Sequence, residues 1–391
     1  MTDFAALRRD EFSALDGHGI YMNMASVGPV PRRSVSALEV ANRDRARPST
    51  WTGDRLDGVL ADARRTAARL INAQVGEIAL MPNTTTGLNI AARALPLGAG
   101  DIVLTFDREF PAVLYPWMAR SGEGIVVERI PCTAEGWPDE ARLYERLRDP
   151  AVRAVCVSLT QFINGYTIDL GALSRATRAG GQWLIIDAIQ ACGQVPVDVV
   201  ATPVDFLACG AQKWLMSPWG TGFLYVREAL IADITPTFVG WAAYRSSADY
   251  TQLTSYDPEP WDDARRFELI TLPVQDLAAM TASIELLLEV GIETVAAHLA
   301  ALQQPILEAA RGAGLVIKSP HDARGSGIVA VAGRTAAETA ALHERLTLQG
   351  VICSSREGAV RLSPGVCTEI EEARVLAEAV SSVVRGGAHV G

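Results

Sequence analysis

The chain has 391 residues, enough for two or three domains, or one large and one small, with a substantial core. Hydrophobic residues make up 49% and charged residues 20%, the balance of an ordinary globular enzyme and not of a disordered chain. A formal net charge of -10 argues against nucleic-acid or anionic-membrane partners, which require a basic surface.

The start, MTDFAALRRDEF, lacks the apolar run that directs export, and no stretch approaches ~18 uninterrupted apolar residues. Neither export nor a membrane span is expected. The cysteines, Cys132, Cys156, Cys192, Cys209, Cys353 and Cys367, show no CxxC and no paired spacing, which suits reduced thiols in a cytoplasmic protein. The histidines are scattered without metal-ligand spacing, so no metal site is expected.

In chain order, IYMNMASVGPVP (20–31) reads as an extended arm ending in a Pro-rich turn. Helical periodicity covers roughly 34–47 and 54–73. From about 76 to 226, short β-rich runs alternate with helices. The runs are EIALMP, DIVLTF, GIVVERIP, AVCVSL, WLIIDA, DFLACG and GFLYV, with helices near 84–95, 111–120, 139–149 and 169–179 between them. Several runs are apolar throughout, which suits strands covered on both faces. The pattern therefore predicts an α/β fold with a mostly parallel seven-stranded sheet. Ligands of such sheets bind at the carboxyl ends of strands.

After 226 an aromatic, loop-rich stretch (238–261) leads to helical patterns near 273–289 and 292–312. A smaller α/β unit follows: GIVAVAG, a helix near 335–349, VICSS, AVRLSP and a helix near 368–385. The division expected is an arm over 1–30, a large domain over 31–265 and a small C-terminal domain over 266–391.

Of 35 cationic residues only Lys213 and Lys318 are lysine; the rest are arginine. Lys213 lies among apolar and small neighbours in DFLACGAQKWLMSPWGTGFLYV (205–226). Burial there lowers an amine's pKa and makes it nucleophilic, which no arginine achieves. Lys213 is thus read as a Schiff-base lysine of the pyridoxal phosphate (PLP) kind rather than a surface lysine at a strand end.

Other candidates follow strands. NTTTGLN (83–89) opens a helix, as either a plain N-cap or a phosphate site. Asp187 ends WLIID, where it either caps the next helix or pairs with a cation such as a protonated pyridine nitrogen. Gln190 lies on the same loop. Phe110 is either a ring-stacking aromatic or core, and Arg361 either grips a substrate carboxylate or is solvated.

Taken together, these segments resemble the class V aminotransferase group of fold-type I PLP-dependent enzymes, which includes cysteine desulfurases, selenocysteine lyases, kynureninases and isopenicillin N epimerase-like proteins. DAIQACGQVPVDV is similar to the group's Asp-x-x-Gln segment, which implies that Asp187 pairs with the pyridine nitrogen and Gln190 with the ring hydroxyl. QKWLMSPWGTGFLYV makes Lys213 the cofactor-linked lysine. NTTTGLN implies Thr84 and Thr85 as phosphate ligands. The resemblance also places Asn23 near the substrate, Gln161 at the ring's oxygen side and Arg361 on the substrate carboxylate. Thr271 would reach the phosphate of the other subunit in a homodimer.

Departures from the group bear on the reaction. Gln212 stands where a histidine is usual, and Phe110 stacks but cannot carry protons. The desulfurase loop with its sulfur-accepting cysteine is absent, since VICSSREGAVR is shorter. RLSPGVCTE also loses the family's HxYNT tail. The reaction expected is β-elimination from an S-substituted cysteine, with the aromatic loop 241–256 admitting its side chain. Aminotransfer, epimerisation, decarboxylation-linked deamination and a non-catalytic binding or regulatory role stay open. A Rossmann dinucleotide site is not expected, because no GxGxxG follows an early strand.

Overall fold

The computed structural model describes residues 2–256, 258–269 and 272–385. Helix α1 (Phe4–Glu11) is capped by Asp3, whose carboxylate accepts the Ala6 N–H at 3.0 Å. It lies within the stretch read as an arm; its two turns are too short to show periodicity. After β1 (Ile20–Tyr21) come α2 (Arg32–Arg45) and α3 (Gly53–Leu70), both where periodicity puts them.

The central strands are β2 (Ile78–Leu80), β3 (Ile102–Phe106), β4 (Val126–Ile130), β5 (Val152–Ser158), β6 (Trp183–Asp187), β7 (Phe206–Gly210) and β8 (Gly222–Val226). They form one sheet in the order β2-β8-β7-β6-β5-β3-β4. Only β8 runs against its neighbours, so all the others present their carboxyl ends at one edge. The helices α4 (Thr84–Ala94), α5 (Pro111–Met118), α6 (Glu140–Arg146) and α7 (Leu170–Gly180) are threaded between the strands, and α8 (Glu228–Ile231) follows β8.

The apolar runs are explained by two cores, one on each face. Alternate side chains of a strand point oppositely. Leu184 and Ile186 of β6 and Leu207 and Cys209 of β7 enter one cluster; Ile185, Phe206 and Ala208 enter the other. Each such Leu, Ile or Phe contributes about 1.5–3 kcal/mol by leaving water.

Helix α9 (Val274–Val290) lays Leu277, Met280 and Ile284 on the first cluster. Helix α10 (Ile292–Gly312) changes partners along its length. Val295 and Leu299 join that same cluster, while Ile306 and Leu307 join the core of the smaller C-terminal domain. That domain has β9 (Val316–Ile317), β10 (Val329–Ala332), α11 (Ala336–Leu348), β11 (Val351–Ile352), β12 (Ser354–Arg356), β13 (Ala359–Leu362) and α12 (Ile370–Arg385). The run VICSS breaks at Cys353: β11 leaves to pair with β1, and β12 joins β13, β10 and β9 in an antiparallel sheet. Among the described residues no helix is long and apolar enough to cross a membrane.

Candidate active site

At the shared carboxyl edge, the end of β6 and the loops after β2, β3, β5 and β7 place Asp187, Thr84, Phe110, Gln161 and Lys213 on one side of the sheet. Parallel strands in register place their ends side by side; Ser158 of β5 is the direct partner of Asp187 on β6.

Lys213 sits in a tight loop after β7. Its carbonyl accepts the Met216 N–H at 2.9 Å, and Met216, fully buried, holds a left-handed φ of 51°. A non-glycine residue there stores strain, a feature that clusters at functional sites. The Lys213 amine donates no hydrogen bond to any described residue and lies 5.6 Å from the centre of the Phe110 ring. Burial lowers its pKa to about 8; the Asp187 carboxylate pulls it back up, and the charges of Arg361 and Arg356 add to the lowering. An amine so held has a neutral fraction near pH 7 far above that of an ordinary lysine, reaching about half near pH 8, and in that form can attack a carbonyl.

Asp187 is 2% exposed. One oxygen accepts the Ile189 N–H at 2.9 Å, and no arginine or lysine pairs with the carboxylate among the described residues. Burial raises its pKa to about 6, against the hydrogen bond from Ile189 and the Lys213 charge. A buried acid with so little compensation suits a cationic partner.

Gln190 is held by two contacts within the protein. Its amide donates to the Ala25 carbonyl at 2.9 Å and accepts the Trp214 indole N–H at 2.8 Å, leaving a single N–H for anything else. The reason is steric enclosure: the arm crosses directly over it. The Gly28 N–H donates to the Gln212 carbonyl at 2.9 Å, and a Cβ at Gly28 would overlap the Lys213 carbonyl. Gly28→Ala is therefore expected to push the arm off the lysine loop and destabilise the protein by about 1–3 kcal/mol. Thermal unfolding measures it; an unchanged melting temperature would contradict the packing.

Thr84 and Gln212 converge beyond the end of β7. The Thr84 hydroxyl accepts the Gly210 N–H at 2.8 Å, and a Cβ on Gly210 would meet both Gln212 Oε1 and Thr84 Oγ1. The N-cap Asn83 accepts only the Thr86 backbone N–H and hydroxyl, so the N–H groups of Thr84 and exposed Thr85 are free to bind an anion at the positive end of α4. Gly87 lets this helix approach β7, where a Cβ would meet that of Ala208 at 2.9 Å. The Phe110 ring is 44% exposed and held edge-on by Phe162 at 5.3 Å. It is not core.

Arg361, on β13, is 2% exposed and also not a solvated surface group. Its guanidinium donates to the Phe162 carbonyl at 2.8 Å and the Ser26 hydroxyl at 2.7 Å, its Nε has no partner, and no carboxylate pairs with it among the described residues. Burial lowers its pKa to about 10, with the Arg356 charge adding to the lowering. Asn23 bridges to Ser363, next to Arg361, and its buried Oδ1 has no partner either. Gln161 is 4% exposed and donates its amide N–H to Glu109. Thr271 lies outside the described residues.

Three features escape the sequence reading: Glu109, Ser26 and Arg356. The aromatic loop also behaves differently from expectation. With Trp51, Leu60 and Arg64 it lines a separate cavity of about 830 Å³ that includes none of the residues around Lys213. The reason is that Trp261, stacked under Arg265 at 3.7 Å, and Trp241 turn toward α3.

The site's chemistry fits PLP: a deprotonatable lysine, a buried carboxylate for the ring nitrogen, an exposed aromatic face and a helix N-terminus for the phosphate. The family model "Aminotransferase class-V" matches residues 41–364. The uncharacterized aminotransferase YcbU of Bacillus subtilis is 31% identical over 315 residues, 80% of each chain. Isopenicillin N epimerase of Amycolatopsis lactamdurans is 29% identical over 261 residues, 65% of this chain and 63% of its own. Apo cysteine desulfurase from Thermococcus onnurineus overlays with a TM-score of 0.85 at 22% identity, covering 99% of both chains. The cystine C–S lyase C-DES, in complex with cysteine persulfide, overlays with 0.83 at 22% identity over 95% of this chain and 99% of that one. The architecture is that of the fold-type I PLP-dependent enzymes. The chain belongs to the class V aminotransferase family and is a PLP-dependent enzyme.

Proposed function

We propose that this enzyme cleaves the C–S bond of an S-substituted cysteine by β-elimination. The balance is simple: substrate and water give a thiol, pyruvate and ammonia. The observation that carries an amino-acid substrate is Arg361, a buried guanidinium without a carboxylate, on the side of the crevice where its charge reaches the Lys213 amine. A substrate carboxylate supplies the missing anion through a bidentate contact. Arg361→Lys loses that fork and is expected to raise KM roughly 10²-fold with a smaller change in kcat, read by steady-state kinetics.

PLP, when bound, supplies an electron sink for negative charge at the substrate's α-carbon. Lys213, whose neutral fraction grows as pH rises toward 8, would take the α-proton and return a proton to the departing sulfur. Asp187 holds a proton on the ring nitrogen. Thr84, Thr85 and Gln212 hold the phosphate, and Phe110 covers the ring.

Two observations favour elimination over its rivals. A persulfide relay needs a reactive thiolate, and burial pushes the Cys353 thiol up to about 11. Epimerisation needs a second proton carrier, and Phe110 is not one. The C–S lyase named above shares the fold. Aminotransfer is the second reading, favoured by the likeness to YcbU. Incubation with S-alkylcysteines tests the choice. Pyruvate and ammonia released without an added 2-oxo acid support elimination; product formation only when a 2-oxo acid accepts the amino group overturns it.

The reading includes a homodimer in which Thr271 reaches the other copy's phosphate site. Exposed Trp241, Tyr250 and Tyr256 lie together as an apolar surface of the kind a subunit contact covers.

A further inference from the structure

Glu109 is the most unusual group near the crevice that the proposed chemistry does not use. It is 7% exposed, yet no cation pairs with it among the described residues. Its carboxylate instead accepts the Ser158 N–H at 2.9 Å, the Ser158 hydroxyl at 2.5 Å and the Gln161 amide N–H at 2.9 Å. Burying a carboxyl with neutral partners alone costs stability, so the fold by itself gives no reason to keep it. The backbone shows how it gets there. Arg108 adopts a left-handed φ of 65°, and this kink turns Glu109 inward while the next residue, Phe110, stays 44% exposed. Strain of this kind in an arginine persists only where its surroundings hold it.

The consequence falls on Gln161. An amide has one donating and one accepting end. Because Glu109 only accepts when ionised, it takes one Gln161 N–H and so fixes the sense of the amide, leaving Oε1, which accepts nothing from the described residues, and the second N–H on the side open to a ligand. We propose that Glu109 is the positioning residue of this site, fixing the Gln161 amide so that its oxygen faces the bound PLP and substrate. The inference rests on the proposed placement of PLP beside Lys213 and goes beyond it. Burial raises the Glu109 pKa to about 7, against the bonds from Ser158 and Gln161 and with the Asp187 charge adding to the rise, so the carboxylate is only narrowly retained at neutral pH.

A double-mutant cycle tests the pairing, because residues acting through one contact are not additive. Wild type, Glu109→Gln, Gln161→Ala and the double variant are titrated with PLP at pH 8 and the dissociation constant is read by absorbance. Each single change is expected to weaken PLP binding about tenfold, and the double variant no further than Gln161→Ala alone. Melting temperatures of the cofactor-free proteins, expected not to fall for Glu109→Gln, separate positioning from loss of fold. A double variant weakened by the product of the two single effects, or a Glu109→Gln protein that binds PLP like wild type, overturns the proposal. Should Glu109→Gln not fold, Glu109→Asp, which withdraws the carboxylate by one methylene, enters the same cycle. A wild type that takes up no PLP overturns the placement of the cofactor as well; a multiplicative cycle overturns this inference alone.

Discussion

Lys213→Ala is expected to lose turnover by roughly 10³-fold or more while keeping its fold. The size follows from two roles resting on one amine. In the proposed mechanism it would hold the cofactor covalently and also move the α-proton. No other described lysine substitutes, since the only other one in the chain, Lys318, extends from the edge of the small domain next to β9. Arginines nearby stay protonated; even Arg361, lowered to about 10, carries its charge at neutral pH. Lys213 is only half-buried and its amine bonds to no described residue, so the melting temperature of the cofactor-free protein is expected to hold. Kinetics and calorimetry on the same preparation check both halves. Substantial residual turnover would move the chemistry to another residue.

Asp187→Asn is expected to separate stability from function in the same way, with opposite signs. In the unfolded chain the carboxyl titrates near 3.8, and in the fold near 6. The folded state therefore binds the proton more tightly. The stability this gives is present below pH ~3.8 and lost as pH rises through 6. At neutral pH the charged form costs on the order of 3 kcal/mol, taking ~1.4 kcal/mol for each pH unit. Asparagine carries no such cost, so cofactor-free Asp187→Asn should melt several degrees higher at pH 7.5, with the gain shrinking toward pH 4. Its affinity for PLP and its turnover should fall by roughly 10²-fold or more, because an amide cannot hold the ring nitrogen protonated. A variant that is both less stable at neutral pH and fully active would contradict the proposed pairing of this carboxylate with the ring nitrogen.

Much of the fold was legible because the apolar runs are short and sharply bounded. WLIID and FLACG suit strands covered on both faces, and the paired cores on β6 and β7 are the physical reason. Lys213 was singled out by its scarcity among the cations, and Asp187 by its place at the end of such a run. Glu109 was not. In the sequence it is one acid in DRE, and its inward turn depends on a left-handed Arg108 that no glycine marks. Gln190 shows the same limit from another side. Its contacts with Ala25 and Trp214 join segments far apart in the chain, and no local pattern encodes them. The aromatic loop was misplaced because composition says that Trp241 and Trp261 seek burial but not against which helix. Helix α1 was hidden by its length.

Borohydride reduction of the PLP-loaded protein, followed by proteolysis and mass spectrometry, addresses the central claim most directly. A single pyridoxyl-modified peptide carrying the label on Lys213, absent from Lys213→Ala, is the expected result. A label on Lys318, or a loaded and coloured protein that yields no modified peptide at residue 213, would contradict it.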